Sequence, residues 1–355
     1  MTILIIGGGL SGLALADMLE AQGAEYLLVE GRDRLGGRIL TGVQGERHFD
    51  LGPAWFWPGQ PRLADMVQRF GLGRFDQFAS GDLLFEDGQG QVTRGRGFAS
   101  MAGSWRLEGG MAALVQALAA GLSPGRVRLN ARVMGLRRDA GAITARLQDG
   151  SEISCEQVVL ALPPRLAAAI GFAPALPRAT ATALQAMPTW MAGQAKAVAI
   201  YSRPFWREAG LSGDASSRFG PMVEIHDASP MTGGPYALFG FIGVPPRARQ
   251  NEQRLRDQIA EQLVRLFGDA AAQPVQLFLK DWAGDPFSAT PADQEPLMTH
   301  PRYGLPIALA RVWDGQVVFA GSEVAGEFGG YLEGALEAAQ AALPQLAGAP
   351  QKAGR

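Results

Sequence analysis

The apolar positions of the chain follow two patterns: short runs without polar interruption, and longer stretches in which they recur every three or four residues. Residues 2–6 are a β-branched run suited to a strand buried on both faces, and 26–29 form a second strand. Between them Leu10, Leu13, Leu15, Met18 and Leu19 recur as the core face of a helix. Another helix is expected over 61–70, with Pro61 in its first turn and Leu63, Met66, Val67 and Phe70 on one side. Residues 83–92 read as a hairpin around Asp87 and Gly88, and 109–122 as an apolar helix entered through Gly109 and Gly110. Alternation then predicts strands at 127–129, 131–136, 143–147 and 153–155, with a turn at Asp149 and Gly150. A parallel strand follows at 158–162, closed by Pro163 and Pro164.

The clearest amphipathic helix is 251–267. Asn251 caps it, Leu255, Ile259, Leu263, Leu266 and Phe267 make its stripe, and Gly268 ends it. A strand at 275–282 and a last helix, opened by Gly330 and Tyr331, complete the series, and 344–355 read as a frayed tail. Strands interleaved with helices around buried runs place the chain in the α/β class.

Composition narrows the function classes. With 355 residues, 47% of them hydrophobic, the chain can bury two sizeable cores and is not disordered. Its 32 basic and 34 acidic residues offer no footprint for nucleic acid or an anionic membrane. No run approaches the roughly 18 apolar residues of a spanning helix. The N-terminus enters a strand without a basic leader, so no signal peptide and a cytoplasmic location are expected. Cys155 is the only cysteine, which excludes an intrachain disulfide framework and suits a packing residue in a reducing compartment. No metal cluster is visible.

The candidate chemistry begins in the first turn. Gly7, Gly9 and Gly12 fit G-x-G-x-x-G, with Ser11 inside the motif, between a strand and a helix. Missing Cβ atoms let such a backbone approach a pyrophosphate, which then meets the free N–H groups of the helix start. Glu30 ends the second strand, where an acid about 20 residues after the glycines accepts hydrogen bonds from a ribose. Glycine turns also serve helix-to-strand packing alone, but strand, turn, helix, strand and acid occur here in order. Arg32, Gly36, Gly37 and Arg38 then add R-x-x-x-G-G-R, a second glycine pair able to pass close to the same cofactor.

With these residues the sequence resembles the FAD-dependent amine oxidase family, which includes monoamine, polyamine and L-amino acid oxidases. Later segments extend the resemblance. Residues 48–58 form an aromatic loop similar to the family segment beside the flavin, carrying Gly52, Pro53, Ala54 and Trp55, and Trp55, Phe56 and Trp57 are either a pocket wall or ordinary core packing. Trp55 stands where L-amino acid oxidases of the snake-venom type carry a carboxylate-binding arginine. Val133 matches the position whose backbone holds the adenine. Residues 317–323 and 329–335 resemble F-A-G-x-E and G-Y-x-E-G-A. The match implies that Glu323 accepts a ribityl or pyrophosphate-side hydrogen bond. It also implies that Gly330 and Tyr331 present a helix N-terminus to the flavin, and that Tyr331 is a cage tyrosine facing the amine.

Lys196 has two readings. Alternation puts it on one strand face with Val198 and Ile200, and a lysine there is either on an edge strand, snorkelling to water, or functional. Lys196, Tyr201 and 204–207 (Pro-Phe-Trp-Arg) resemble the family strand whose lysine holds a water at flavin N5. Asp281 and Trp282 open a segment in which Pro291 and Ala292 stand where monoamine oxidases place a flavin-linking cysteine and a second cage tyrosine, so FAD is expected to bind noncovalently.

The resemblance implies an α/β protein: a Rossmann-like FAD-binding domain of GR2 type, built from 1–58, 104–185 and 282–345, with a discontinuous α+β substrate domain from 59–103 and 186–281 and a tail at 346–355. The short interval between the aromatic loop and Gly109 implies missing substrate-domain helices and a pruned pocket roof, open or covered by a second copy in a homo-oligomer. The implied reaction is hydride removal from a small amine, with Lys196, Tyr331 and Trp282 at the reacting end and O2 reduced to hydrogen peroxide. Two other readings share the framework: oxidation or desaturation of an apolar cyclic substrate, and a noncatalytic flavin-binding regulator.

Overall fold

The computed structural model describes residues 2–139, 141–295, 297 and 299–346. Its first layer is a parallel five-stranded sheet in the spatial order Val317–Phe319, Gln157–Leu160, Ile3–Ile6, Tyr26–Val29, Val127–Arg128. Ile3–Ile6 is buried along its whole length because it pairs on both edges and is covered on both faces. One cover is helical: Leu10–Ala21 and Leu332–Ala342 pack together through Leu13, Leu15, Leu336 and Ala339. The other is a four-stranded sheet of Glu152–Cys155, Ala142–Leu147, Val133–Asp139 and Gly171–Ala173, whose Leu136, Ile143 and Leu147 meet Leu4, Val158 and Leu160. Cys155 is buried there, as a packing residue.

A seven-stranded sheet forms the second body, in the order Gln276–Asp281, Ala195–Tyr201, Tyr236–Ile242, Met222–Asp227, Leu211–Ser217, Asp82–Glu86, Val92–Gly95. Helix Glu252–Phe267 covers one face with Leu255, Ile259, Leu263 and Leu266, each contributing roughly 1.5–3 kcal/mol on burial. Its start is capped as expected, the Asn251 side chain accepting from the Arg254 N–H, and Gly268 ends it at φ 83°. The other face presents Val198, Ile200 and Phe239 to Phe49, Leu51, Ala54 and Trp55. This second face looks toward the first sheet and positions the site.

Most expected elements appear with slightly different ends: Pro61–Arg69, Ala112–Ala120 and the hairpin strands Asp82–Glu86 and Val92–Gly95. Two readings are corrected. Ala195–Tyr201 is an interior strand paired on both sides and Lys196 is buried on its covered face, so Lys196 is not an edge lysine reaching water. The chain is also ordered further than a tail from 344 implies: Leu343–Gln345 forms a 3-10 turn and Leu346 is buried in the first core, while 347–355 lie outside the described residues.

Candidate active site

The two glycine segments cross. Gly9 and Gly36 form a parallel bridge, and the Gly36 N–H donates to the Gly8 carbonyl at 2.8 Å. Gly7 holds φ 112° and Gly37 φ 58°; a Cβ at Gly7 would lie 2.6 Å from the Ala161 oxygen, and one at Gly37 3.1 Å from Gly9 Cα. A side chain at Gly12 would collide with the Gly7 carbonyl, so that glycine serves the helix-to-strand approach. Helix Leu10–Ala21 begins at Gly9 with no side-chain cap, leaving its first N–H groups toward the cavity that Gly7, Gly9, Leu10 and Ser11 line. The Ser11 hydroxyl itself donates to the Ala320 carbonyl.

Glu30 is buried yet lines the same cavity, its carboxylate accepting from the N–H groups of Gly8 at 2.7 Å and Arg32 at 2.9 Å. Arg32 is tied back to Asp285 at 2.6 Å and Ser288 at 2.9 Å. Arg38 donates to both oxygens of fully buried Glu323, at 2.6 and 3.2 Å, and to the Ser322 hydroxyl. Glu323 therefore braces Arg38, and it is Arg38 and Ser322 that face the cavity. Val133 is buried in the second core and is not among the lining residues. Gly330, at φ 81°, leads through Tyr331 into helix Leu332–Ala342, a second helix start without a side-chain cap on this cavity.

The cavity is continuous, about 1430 Å³ with its open mouth included, and runs from the glycine crossing past Gly52, Pro53 and Ala54 to Lys196. The Lys196 ammonium donates to the Gly52 carbonyl and lies 4.8 Å from the ring centroids of Phe239 and Phe241 and 5.8 Å from that of Trp55. Trp55 is held by donating to Gln77 at 2.8 Å and by an edge contact with His226 at 5.5 Å. Trp57 also lines the cavity. Phe56 does not: an isolated bridge to Trp105 turns it into the first core, so of the three aromatics it alone follows the packing reading. Trp282 lines the same end and donates from Nε1 to the Leu51 carbonyl at 2.9 Å.

Several lining residues carried no motif in the sequence. Trp190, Met191, Gln60 and Phe241 belong to this wall. Met191 adopts φ 62°, rare for a side chain of its size, in the turn that delivers Trp190. His300 stacks on Tyr331 and meets Trp190 edge-on at 4.8 Å. Pro291 and Ala292 sit on an exposed 3-10 turn and line nothing here.

The sequence profile described as "Flavin containing amine oxidoreductase" matches residues 82–342, and that of an NAD(P)-binding Rossmann-like domain matches 5–70. The chain belongs to the flavin-containing amine oxidoreductase family. The monoamine oxidase-type protein AofH of Mycobacterium tuberculosis is 26% identical over 446 aligned positions, covering 97% of this chain and 96% of its own. That alignment is longer than the chain, so this oxidoreductase skips stretches that its relative has. Putrescine oxidase of Kocuria rosea is 23% identical over 98% of the chain and 95% of its own. Among solved structures, cyclohexylamine oxidase from Brevibacterium oxydans shares the fold with a TM-score of 0.80 at 21% identity, covering 96% of this chain and 97% of that one.

FAD is the cofactor of this amine oxidoreductase. The site fits it: the glycine crossing leaves backbone where a Cβ would intrude, two uncapped helix starts face one cavity, and Glu30 and Arg38 line it. The electrostatics differ at the other end. Burial lowers the Lys196 pKa to about 8, opposed by the charge of Asp50. Burial raises Asp50, opposed by the Thr41 hydroxyl, Arg106 and the Met111 N–H. Behind Trp55, burial pulls His226 down, but hydrogen bonds to Asp214 and Glu224 outweigh it and favour the imidazolium. Among the described residues no group of ligands suits a metal, and no helix is long and apolar enough to cross a membrane.

Proposed function

We propose that this oxidoreductase binds FAD noncovalently and oxidises the carbon–nitrogen bond of a small amine, with O2 as the final acceptor. Bound FAD would supply the hydride acceptor at N5, the amine losing two electrons and two protons to become an imine that hydrolyses, and O2 gaining both to become hydrogen peroxide. The observation that carries this reading is the buried ammonium of Lys196, ringed by aromatic walls on the same cavity as the glycine crossing.

Each group then has a task. The Gly7–Gly9 turn and Ser11, at the start of their helix, hold the pyrophosphate, and Glu30 takes the ribose. Gly36, Gly37 and Arg38, with Glu323 behind, fix the middle of the cofactor. Gly52, Pro53, Ala54 and Trp55 flank the isoalloxazine, and the helix start at Gly330 and Tyr331 stabilises an anion there by roughly 0.3–2 kcal/mol. Lys196 holds a water and a positive charge at the reacting end, Trp282 keeps water from its side, and Tyr331 presents its ring to the amine. In this reading 1–58, 104–185 and 282–345 serve the cofactor, while 59–103 and 186–281 serve the substrate. A cytoplasmic location accords with the single buried cysteine, and a second copy covering the pruned roof would appear in light scattering as a dimer.

The test is anaerobic mixing of the FAD-loaded protein with a panel of amines and apolar cyclic compounds, followed at the visible flavin band, then admission of air. Bleaching by an amine, and recovery with peroxide, are expected. Bleaching by an apolar cyclic compound but by no amine would overturn the assignment.

A further inference from the structure

Resting on the amine-oxidising reading, we propose that the site selects monoamines with an apolar body and turns away diamines of the same length. The argument is a count of charges along one wall. Among the described lining residues four side chains are charged: Glu30, Arg32, Arg38 and Lys196. Glu30 is engaged by the N–H groups of Gly8 and Arg32, and Arg32 and Arg38 are engaged by Asp285 and Glu323, all around the glycine crossing. At the far end the walls are Trp55, Trp57, Trp190, Phe241, Trp282 and Tyr331, and the single charge there is the cation Lys196.

A diamine reacting through one neutral nitrogen keeps an ammonium at its other end. Seated here, that ammonium would lose water against indole and phenyl rings without a carboxylate to replace it, and would share the pocket with another cation. The carboxylate that acts on Lys196 does not meet this need: Asp50 is buried outside the lining and accepts from the Thr41 hydroxyl at 2.8 Å and the Met111 N–H at 3.0 Å. The ring faces around Lys196 are already turned to its ammonium. The polar side chains that remain in the lining, the amides of Gln60 and Gln194 and the hydroxyls of Ser11, Ser288, Ser322 and Tyr331, are all neutral. A monoamine meets none of these costs, because its far end is apolar and displaces water from apolar walls. The walls are also fixed in place: a Cβ at Gly330 would come within 2.9 Å of Trp190 Cβ, so the indole rests directly on the backbone before Tyr331.

Hexylamine and its counterpart with an amine at both ends form the decisive pair, assayed on the FAD-loaded enzyme below pH 8. The expected kcat/KM ratio favours hexylamine by about 100-fold or more, the scale of an unpaired ammonium in an apolar wall. Binding is read without turnover by using tert-alkyl amines, which lack the α-hydrogen, with and without a second amine, and following tryptophan fluorescence; the same preference is expected in Kd. Gln60→Glu keeps the acceptor for the Trp57 N–H and adds a carboxylate to the wall, so it is expected to improve the diamine about 10-fold or more relative to hexylamine. Equal use of both wild-type substrates, within about 3-fold, would overturn the selectivity while leaving amine oxidation intact. Reduction of the flavin by neither compound, nor by any other amine, would remove the underlying reading and this inference with it.

Discussion

The imidazole of His300 stacks on the ring of Tyr331, centroids 4.9 Å apart and planes 14° from parallel. One ring nitrogen lies 3.0 Å from the Gly329 carbonyl, which accepts from it, so His300 is fastened to the turn that delivers Tyr331. Trp190 and Tyr303 close on the same imidazole edge-on. His300→Ala should therefore let Tyr331 move without touching the cofactor cradle. A stacked pair is worth roughly 0.5–1.5 kcal/mol, so KM for an amine should rise about 3- to 10-fold with kcat changed less. Steady-state kinetics decide it: a fall in kcat at constant KM would deny His300 this positioning role.

Glu30 accepts two backbone hydrogen bonds while lining the cavity. Glu30→Ala removes the acceptor offered to a ribose and also frees the Gly8 N–H, whose neighbours shape the glycine crossing. Hydrogen bonds to a carboxylate contribute about 1.5–3 kcal/mol, so the FAD dissociation constant should rise by about 10- to 100-fold. Titration of apoprotein with FAD, followed by flavin fluorescence, measures this, and an unchanged constant would undo the ribose assignment.

Legibility in the sequence followed locality. The first strand, its turn and its helix were readable because Gly7, Gly9, Gly12 and Glu30 act within one supersecondary unit. The helix at Glu252–Phe267 was readable because its cap, stripe and stop are adjacent in sequence. Lys196 was ambiguous from its own strand, since whether a lysine reaches water depends on what pairs with the strand and on what covers its face, here Phe49, Leu51, Ala54 and Trp55 from a distant segment. Its rarity is a signal in the sequence: lysine occurs three times in the whole chain, at 196, 280 and 352, while arginine carries nearly all the positive charge. His300 and Phe241 carried no signal, because each meets the site through residues distant in the chain. Phe56 could not be told from Trp55 and Trp57, since three adjacent aromatics look alike until the backbone turns the middle one into the core.

Glu323 and Arg38 separate bracing from direct contact. Glu323 is fully buried and spends both oxygens on Arg38. Glu323→Gln would leave the guanidinium without its countercharge, costing about 1–3 kcal/mol because Arg38 keeps some access to solvent. Urea unfolding of the apoprotein should report this loss before any cofactor is added. Weaker FAD binding with unchanged apoprotein stability would instead mean that Glu323 touches the cofactor itself.

Lys196 carries the last prediction, because its burial has a signature independent of catalysis. Its ammonium pKa is lowered to about 8 in the folded chain, mainly by burial, against about 10.4 for an exposed lysine. Below pH 8 both states are protonated and the folded state bears the full penalty. Between the two values the unfolded chain binds the additional proton, so stability climbs with pH, and above about 10.4 the penalty is gone. The climb attributable to this group is about 3 kcal/mol. Lys196→Met, similar in length and uncharged, should lack it, so the urea-derived stability difference between variant and wild type should shrink from pH 7 to pH 10. The same substitution should keep the yellow cofactor yet slow reoxidation by O2 by about 10²-fold, the scale of one preorganised charge at a reacting centre. Stopped-flow mixing of the reduced variant with O2 measures that step. An unchanged rate together with a lost pH slope would make Lys196 a buried cation without a part in the oxygen reaction.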